Sequence, residues 1–166
     1  RSFQISNVLM GFSVLENAII AEQARRREAF RFFRPAFTDP DLIDNGMKML
    51  ARVGIDRRAA VRVADLAHGE RRLLELALVL CGDPALMLLD EPMAGAGSEE
   101  SQHMIDIIDR VRGHAGILLI EHDMDVVFQL ADRISVLVEG KIVASGSPDQ
   151  ISQNKRVQEA YLGSTR

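Results

Sequence analysis

The residues best suited to chemistry in this 166-residue chain are two adjacent carboxylates, Asp90 and Glu91. They end the apolar run Leu86-Met-Leu-Leu and are closed by Pro92. A short apolar run that stops abruptly reads as a strand buried on both faces, as in a parallel sheet. Ligands of open α/β sheets bind outside the carboxyl ends of such strands. The pair therefore stands where a phosphate-bound Mg²⁺ and a water could sit. Side chains alternate along a strand, so two neighbouring acids diverge if extended geometry persists. One can then hold a metal shell while the other polarises the water. An apolar strand ending in two solvated acids is the bland alternative, and the flanking sequence weighs against it.

The elements that must position the pair follow from periodicity. Ser13-Val-Leu-Glu16 has the spacing of a capping box and predicts a helix from about Val14 to Phe33. Arg25-Arg26-Arg27 and Arg31 read as its solvated face. Pro35 to Pro40 is a loop, and Leu42, Ile43, Met47, Leu50 and Val53 mark a second helix over 41–53 that Gly54 stops. A third, short helix is expected over 56–63. Leu66-Ala-His-Gly69-Glu70 is a polar break opening a helix with Leu73, Leu74, Leu76, Ala77 and Leu80, which Gly82-Asp-Pro84 ends. After the first strand, Gly95 and Gly97 form a loop and Ser98 starts a helix to about Val111. Gly116-Ile-Leu-Leu-Ile120 is a second buried strand, ending in Glu121-His122-Asp123. A short helix over 123–130, a hairpin turning at Glu139-Gly140 and a helical tail over 148–162 complete the chain. Strands alternating with helices predict an α/β core with parallel strands, and the earlier helices a segregated subdomain.

Composition narrows the function classes. A 47% hydrophobic and 27% charged chain builds an ordinary folded core. Its net charge of −4 gives no general drive toward nucleic acid or anionic membrane. The single cysteine, Cys81, follows an apolar helical run and reads as a buried free thiol; no intrachain disulfide is possible, as in a reducing compartment. No apolar run reaches the roughly 18 residues of a membrane span. Any membrane role must therefore come through a partner. His68, His103 and His114 lack the Cys/His spacing of a metal site and read as exposed or packed imidazoles.

Taken in order, Phe3-Gln4, the helical block, Leu66-Ala-His-Gly69-Glu70 opening a helix, the strand to Asp90-Glu91-Pro92, and Ile120-Glu-His122-Asp resemble the ATPase subunit of ABC transporters over essentially the whole chain. Arg1-Ser-Phe-Gln4 and Ser13-Val-Leu-Glu16-Asn17 are similar to subunits that energise import of branched-chain amino acids or urea. The Leu-Ala-His-Gly-Glu form and Ala94-Gly95 after the strand point the same way. The resemblance implies a partial P-loop NTPase core with a helical subdomain over 5–80, core strands over 84–146 and C-terminal helices over 147–166. It implies ATP and Mg²⁺ as cofactors. Asp90 would hold the Mg²⁺ shell, with Gln4 offering a side-chain oxygen, while Glu91 orients the water. His122 would polarise the γ-phosphate.

The segment Ala67, His68, Gly69 and Glu70 would bind the nucleotide of a second ATPase subunit, Gly69 letting backbone approach a phosphate at a helix N-terminus. It departs from the common Leu-Ser-Gly-Gly-Gln: Ala67 lacks the hydroxyl, His68 replaces glycine and Glu70 replaces glutamine. Gly97 stands where most relatives carry aspartate. Implied partners are integral-membrane permease subunits, a second ATPase subunit and, indirectly, a periplasmic solute-binding protein, with no nucleic acid. Val8, Leu9, Met10 and Phe12 are candidates to dock the permease. The implied location is peripheral, on the cytoplasmic face of the membrane.

No Gly-x-x-x-x-Gly-Lys-Ser/Thr occurs in the chain. The family places that phosphate loop upstream of the Gln4 segment, so the sequence reads as a C-terminal portion of an ATPase domain, inactive alone and prone to self-association through uncovered sheet. Two other classes remain open. A DNA-repair-type ABC ATPase would normally carry coiled-coil insertions, and no heptad run is present. A non-enzymatic regulatory or scaffold chain would fit the altered signature and the missing loop.

Overall fold

The computed structural model describes residues 8–26 and 36–162. Gln4 lies outside the described residues, as do Phe3, Arg27 and Arg31. The chain divides into two compact units after Ile120.

In the first unit three helices precede a parallel strand pair: α1 (Val14–Arg25), α2 (Pro40–Arg52), α3 (His68–Cys81), β1 (Leu86–Asp90), α4 (Ser98–Val111) and β2 (Gly116–Ile120). The expected capping box starts α1: the Glu16 N–H donates to Ser13 Oγ at 3.1 Å and the Ser13 N–H to Glu16 Oε2 at 2.7 Å. Asp39 caps α2, whose Pro40 begins the helix where no N–H partner is needed. Helices α1, α2 and α3 pack on one another, and Ile19, Leu50 and Leu74, one on each, are fully buried. The third helix expected over 56–63 is instead two single 3₁₀ turns, Asp56–Arg58 and Val63–Asp65. The residues between them serve α1: the Val14 and Leu15 N–H groups donate to the Val61 and Ala59 carbonyls, both at 2.9 Å. Donors unpaired at a helix start thus claim the carbonyls that a continuous helix would use.

β1 and β2 run parallel in register from Leu86↔Gly116 to Asp90↔Ile120. Helix α4 connects them and buries Met104, Ile105, Ile107 and Ile108. The expectation that both strand faces are covered is not met among the described residues. Met87 and Leu89 are buried, but Leu86, Leu88, Leu118 and Ile120 on the opposite face are 63%, 41%, 55% and 55% exposed. An all-apolar run fixes the chemistry of both faces and says nothing of what is there to cover them.

The second unit holds α5 (Met124–Leu130), an antiparallel hairpin of β3 (Ile134–Val138) and β4 (Lys141–Gly146), α6 (Pro148–Ser152) and α7 (Lys155–Leu162). The hairpin turns at Glu139-Gly140, both with positive φ, as a tight two-residue turn requires. Its core is Ile134, Val136, Ile151 and Val157. Among the described residues no helix is long and apolar enough to cross a membrane.

Candidate functional site

Asp90 is the last residue of β1 and is exposed, on the same face as Leu86 and Leu88. Glu91 then leaves the strand with a left-handed backbone, φ 44°. That region is unfavourable for a residue with a Cβ and marks a segment held by its surroundings. The holding contacts are explicit. The Glu91 N–H donates to the Ile120 carbonyl at 2.8 Å, and its own carbonyl accepts from the Ala94 N–H at 3.1 Å. Arg72 Nη1 on α3 donates to the Glu91 carbonyl at 2.8 Å and to that of Pro92 at 3.0 Å. The two candidate carboxylates thus follow each other but leave strand geometry between them.

The start of α3 lies against the same loop. Ala67 occupies the N-cap position and supplies no side-chain acceptor. Glu70 accepts from the Ala67 N–H at 3.0 Å and pairs with Arg58 at 2.7 Å. The Arg58 hydrogen bond, aided by that N–H, holds the Glu70 carboxyl below its usual range. The His68 ring receives Arg72 Nε at 3.2 Å, and a Cβ added at Gly95, φ 75°, would come within 3.8 Å of it. Gly69 is buried because the Glu100 carboxylate covers it: a Cβ built there would stand 2.5 Å from that carboxyl carbon. Glu100 also accepts the Gly97 N–H at 3.3 Å, closing the first turn of α4. Ala67 to Glu70 and residues 91–100 therefore make one assembly within the first unit.

His122 belongs to the second unit, two residues beyond β2. It is exposed, with Nδ1 3.9 Å from the Glu121 carboxylate. Gln4 falls outside the described residues. The other histidines are accounted for: His103 Nε2 meets the Val53 carbonyl at 3.0 Å at the end of α2, and His114 is exposed. Cys81 is a half-buried free thiol pushed up to about 11, chiefly by burial; it offers no ready thiolate. Arg72, Glu100 and Arg58 were not legible as site residues. The one available signal was Arg72 four residues after His68, hence on the same helix face.

The donor set suits Mg²⁺ when phosphates and waters complete it. Asp90 presents one exposed carboxylate, and among the described residues no group of three His, Cys, Asp or Glu could hold an ion by itself. Mg²⁺ is commonly bound in that way, through about one or two carboxylates plus substrate phosphates.

Comparison with known proteins decides the family. The ABC transporter profile matches residues 2–94, and that of branched-chain amino acid ATP-binding cassette transporters residues 141–165. LivG of Escherichia coli, a high-affinity branched-chain amino acid transport ATP-binding protein, is 34% identical over 170 residues, covering 98% of this chain and 67% of its own length. The chain belongs to the ATP-binding family of ABC transporters. Solved cassettes share its fold. The ADP conformation of MJ1267, an ATP-binding cassette of an ABC transporter, superposes with a TM-score of 0.73 at 22% identity, over 93% of this chain and 64% of that one. A dimeric post-hydrolysis state of the cassette MJ0796, bound to ADP and Pi, does so with a TM-score of 0.70 at 19% identity, over 88% and 61%. The chain spans about two thirds of the length of these relatives. Within the cassette, the strand pair β1–β2 and helix α3 are the elements that carry the assembly described above.

Proposed function

We propose that this chain forms part of an ATP-binding and hydrolysing subunit that powers an importer of branched-chain amino acids or a related small solute such as urea. The observation that carries the reading is Glu91, held by β2 and α3 in an unfavourable backbone directly after a strand that ends in an exposed carboxylate. Asp90 would hold Mg²⁺, with Gln4 as a further oxygen donor; bound there, the ion neutralises phosphate charge. Glu91 orients and accepts a proton from the attacking water, and His122 donates toward the γ-phosphate. Ala67 to Glu70 face the nucleotide of a second subunit. That the cassette MJ0796 is dimeric supports a second subunit.

The membrane partners are permease subunits, fed by a periplasmic solute-binding protein, with this chain peripheral on the cytoplasmic face. Leu9, Met10 and Phe12 are exposed and available to dock a permease segment, whereas Val8 is buried. Without a phosphate loop, the 166-residue chain alone is expected to be inactive and to bind Mg-ATP poorly.

The test is Glu91→Gln in the assembled transporter. ATP should stay bound in a closed dimer while turnover falls by about 100-fold or more, the usual loss on removing a general base. Normal turnover in that variant would refute the role of Glu91. Micromolar Mg-ATP binding by the isolated chain would refute its expected inability to hold nucleotide.

A further inference from the structure

We propose that Arg72 is a positioning residue for Glu91, and that His68 is the acceptor that orients Arg72. The proposal rests on the reading of Glu91 as the group that orients water. Glu91 keeps its left-handed backbone, φ 44°, only while its peptide is held on both sides. β2 holds the N–H, through Ile120 at 2.8 Å. On the carbonyl side the Ala94 N–H closes a local turn, and Arg72 donates to the same carbonyl from α3 at 2.8 Å. The same Nη1 reaches Pro92 at 3.0 Å, so one guanidinium nitrogen ties down two successive carbonyls.

A guanidinium on a flexible stem needs a second anchor to hold that aim. His68 provides it at 3.2 Å, one helical turn earlier. Arginine has no acceptor, so His68 Nε2 must be the unprotonated nitrogen and Nδ1 must carry the hydrogen. Gly95, from the loop that follows Glu91, faces the imidazole: a Cβ added there would lie 3.8 Å from the ring. The imidazole thus lies near both Arg72 and the loop that Arg72 secures. Any rotation of the first turn of α3, where Ala67 to Glu70 lie, is carried through Arg72 to the Glu91 peptide. Lysine cannot replace this arrangement, since one ammonium lacks the two differently directed nitrogens that meet His68 and the carbonyl pair.

Three measurements test the proposal. Nitrogen-resolved NMR of the chain should show His68 in the Nδ1–H tautomer, with Nε2 shifting in Arg72→Lys. Hydrogen exchange at Ala94 and Ala96 should accelerate by about tenfold in Arg72→Lys, with Leu50 unchanged, because only local opening is affected. In the assembled transporter kcat should fall by about 100-fold, the scale of a misplaced catalytic group, with KM for ATP kept within about twofold. Should Arg72→Lys fail to fold, His68→Gly removes the orienting acceptor at an exposed position. It should lower kcat while His68→Gln, which restores an acceptor, recovers it. Wild-type kcat in Arg72→Lys, or equal kcat in His68→Gly and His68→Gln, would overturn the role of Arg72. Absence of turnover in the unsubstituted transporter would instead refute the functional reading on which it rests.

Discussion

Replacing Gly69 by alanine separates packing from function at the start of α3. The new Cβ would meet the Glu100 carboxyl carbon at 2.5 Å, so that group must retreat by about 1 Å to reach ordinary contact. It is the far end of an exposed, flexible side chain, and its retreat gives up the 3.3 Å bond from the Gly97 N–H. Losing that contact at the first turn of α4 costs about 1 kcal/mol. Alanine returns up to about 1 kcal/mol over glycine within a helix. The two nearly cancel, and the melting temperature should move by less than about 4 °C, read by circular dichroism. Function should not cancel in the same way. If Gly69 is the place where backbone meets the partner's nucleotide, a methyl group there obstructs it, and ATP turnover of the transporter should fall by about tenfold or more. Gly69→Ala combined with Glu100→Ala distinguishes the two roles. Relief of crowding alone would restore turnover in the double variant, whereas obstruction of nucleotide would leave it low. Restored turnover, or a stability loss above about 3 kcal/mol in Gly69→Ala, would refute this reasoning.

Two further outcomes follow from the first unit. Hydrogen bonds from Arg25, then Arg26, hold the buried Glu22 carboxyl at about 2 against an ordinary 4.5, burial opposing them. A depressed carboxyl contributes stability above its unfolded value that is lost as pH falls through the folded one, here from about 4.5 to about 2. The shift corresponds to roughly 3 kcal/mol, so urea unfolding should find Glu22→Gln weaker by that order at pH 7 and little different near pH 2. The uncovered face of Leu86, Leu88, Leu118 and Ile120 should make the isolated chain self-associate in sedimentation, and Leu88→Lys should reduce that; a clean monomer at all concentrations would count against it.

Where local chemistry decides, the sequence was a good guide. Ser13 and Glu16 make the capping box that their spacing requires, α4 runs from Ser98 to Val111, and β2 occupies Gly116 to Ile120. Each boundary is set by residues within one turn of it. The departures arise where distant segments compete for the same groups. Residues 59–62 do not extend a helix because α1 takes the carbonyls of Ala59 and Val61. Leu88 and Leu118 are exposed because burial depends on a covering element that the strand itself does not specify. Of the candidate site residues, Asp90 and Glu91 stand out in the sequence through an abrupt change of polarity. Arg72 does not, since its acceptors are 19 and 20 residues away and no periodicity links them.

The altered residues at the start of α3 acquire a physical sense from their neighbours. Ala67 cannot cap the helix, yet Glu70 takes its N–H and is steadied by Arg58. His68 occupies space that glycine would leave open, and there it receives Arg72. Glu100 places negative charge over Gly69, at the end of α3 where the helix dipole favours an anion. A phosphate approaching that backbone must displace a carboxylate already stationed there. On the proposed reading, in which this segment meets a partner's nucleotide, the substituted residues exchange such contacts for contacts within one chain. The cost of that exchange would fall on closure of the dimer.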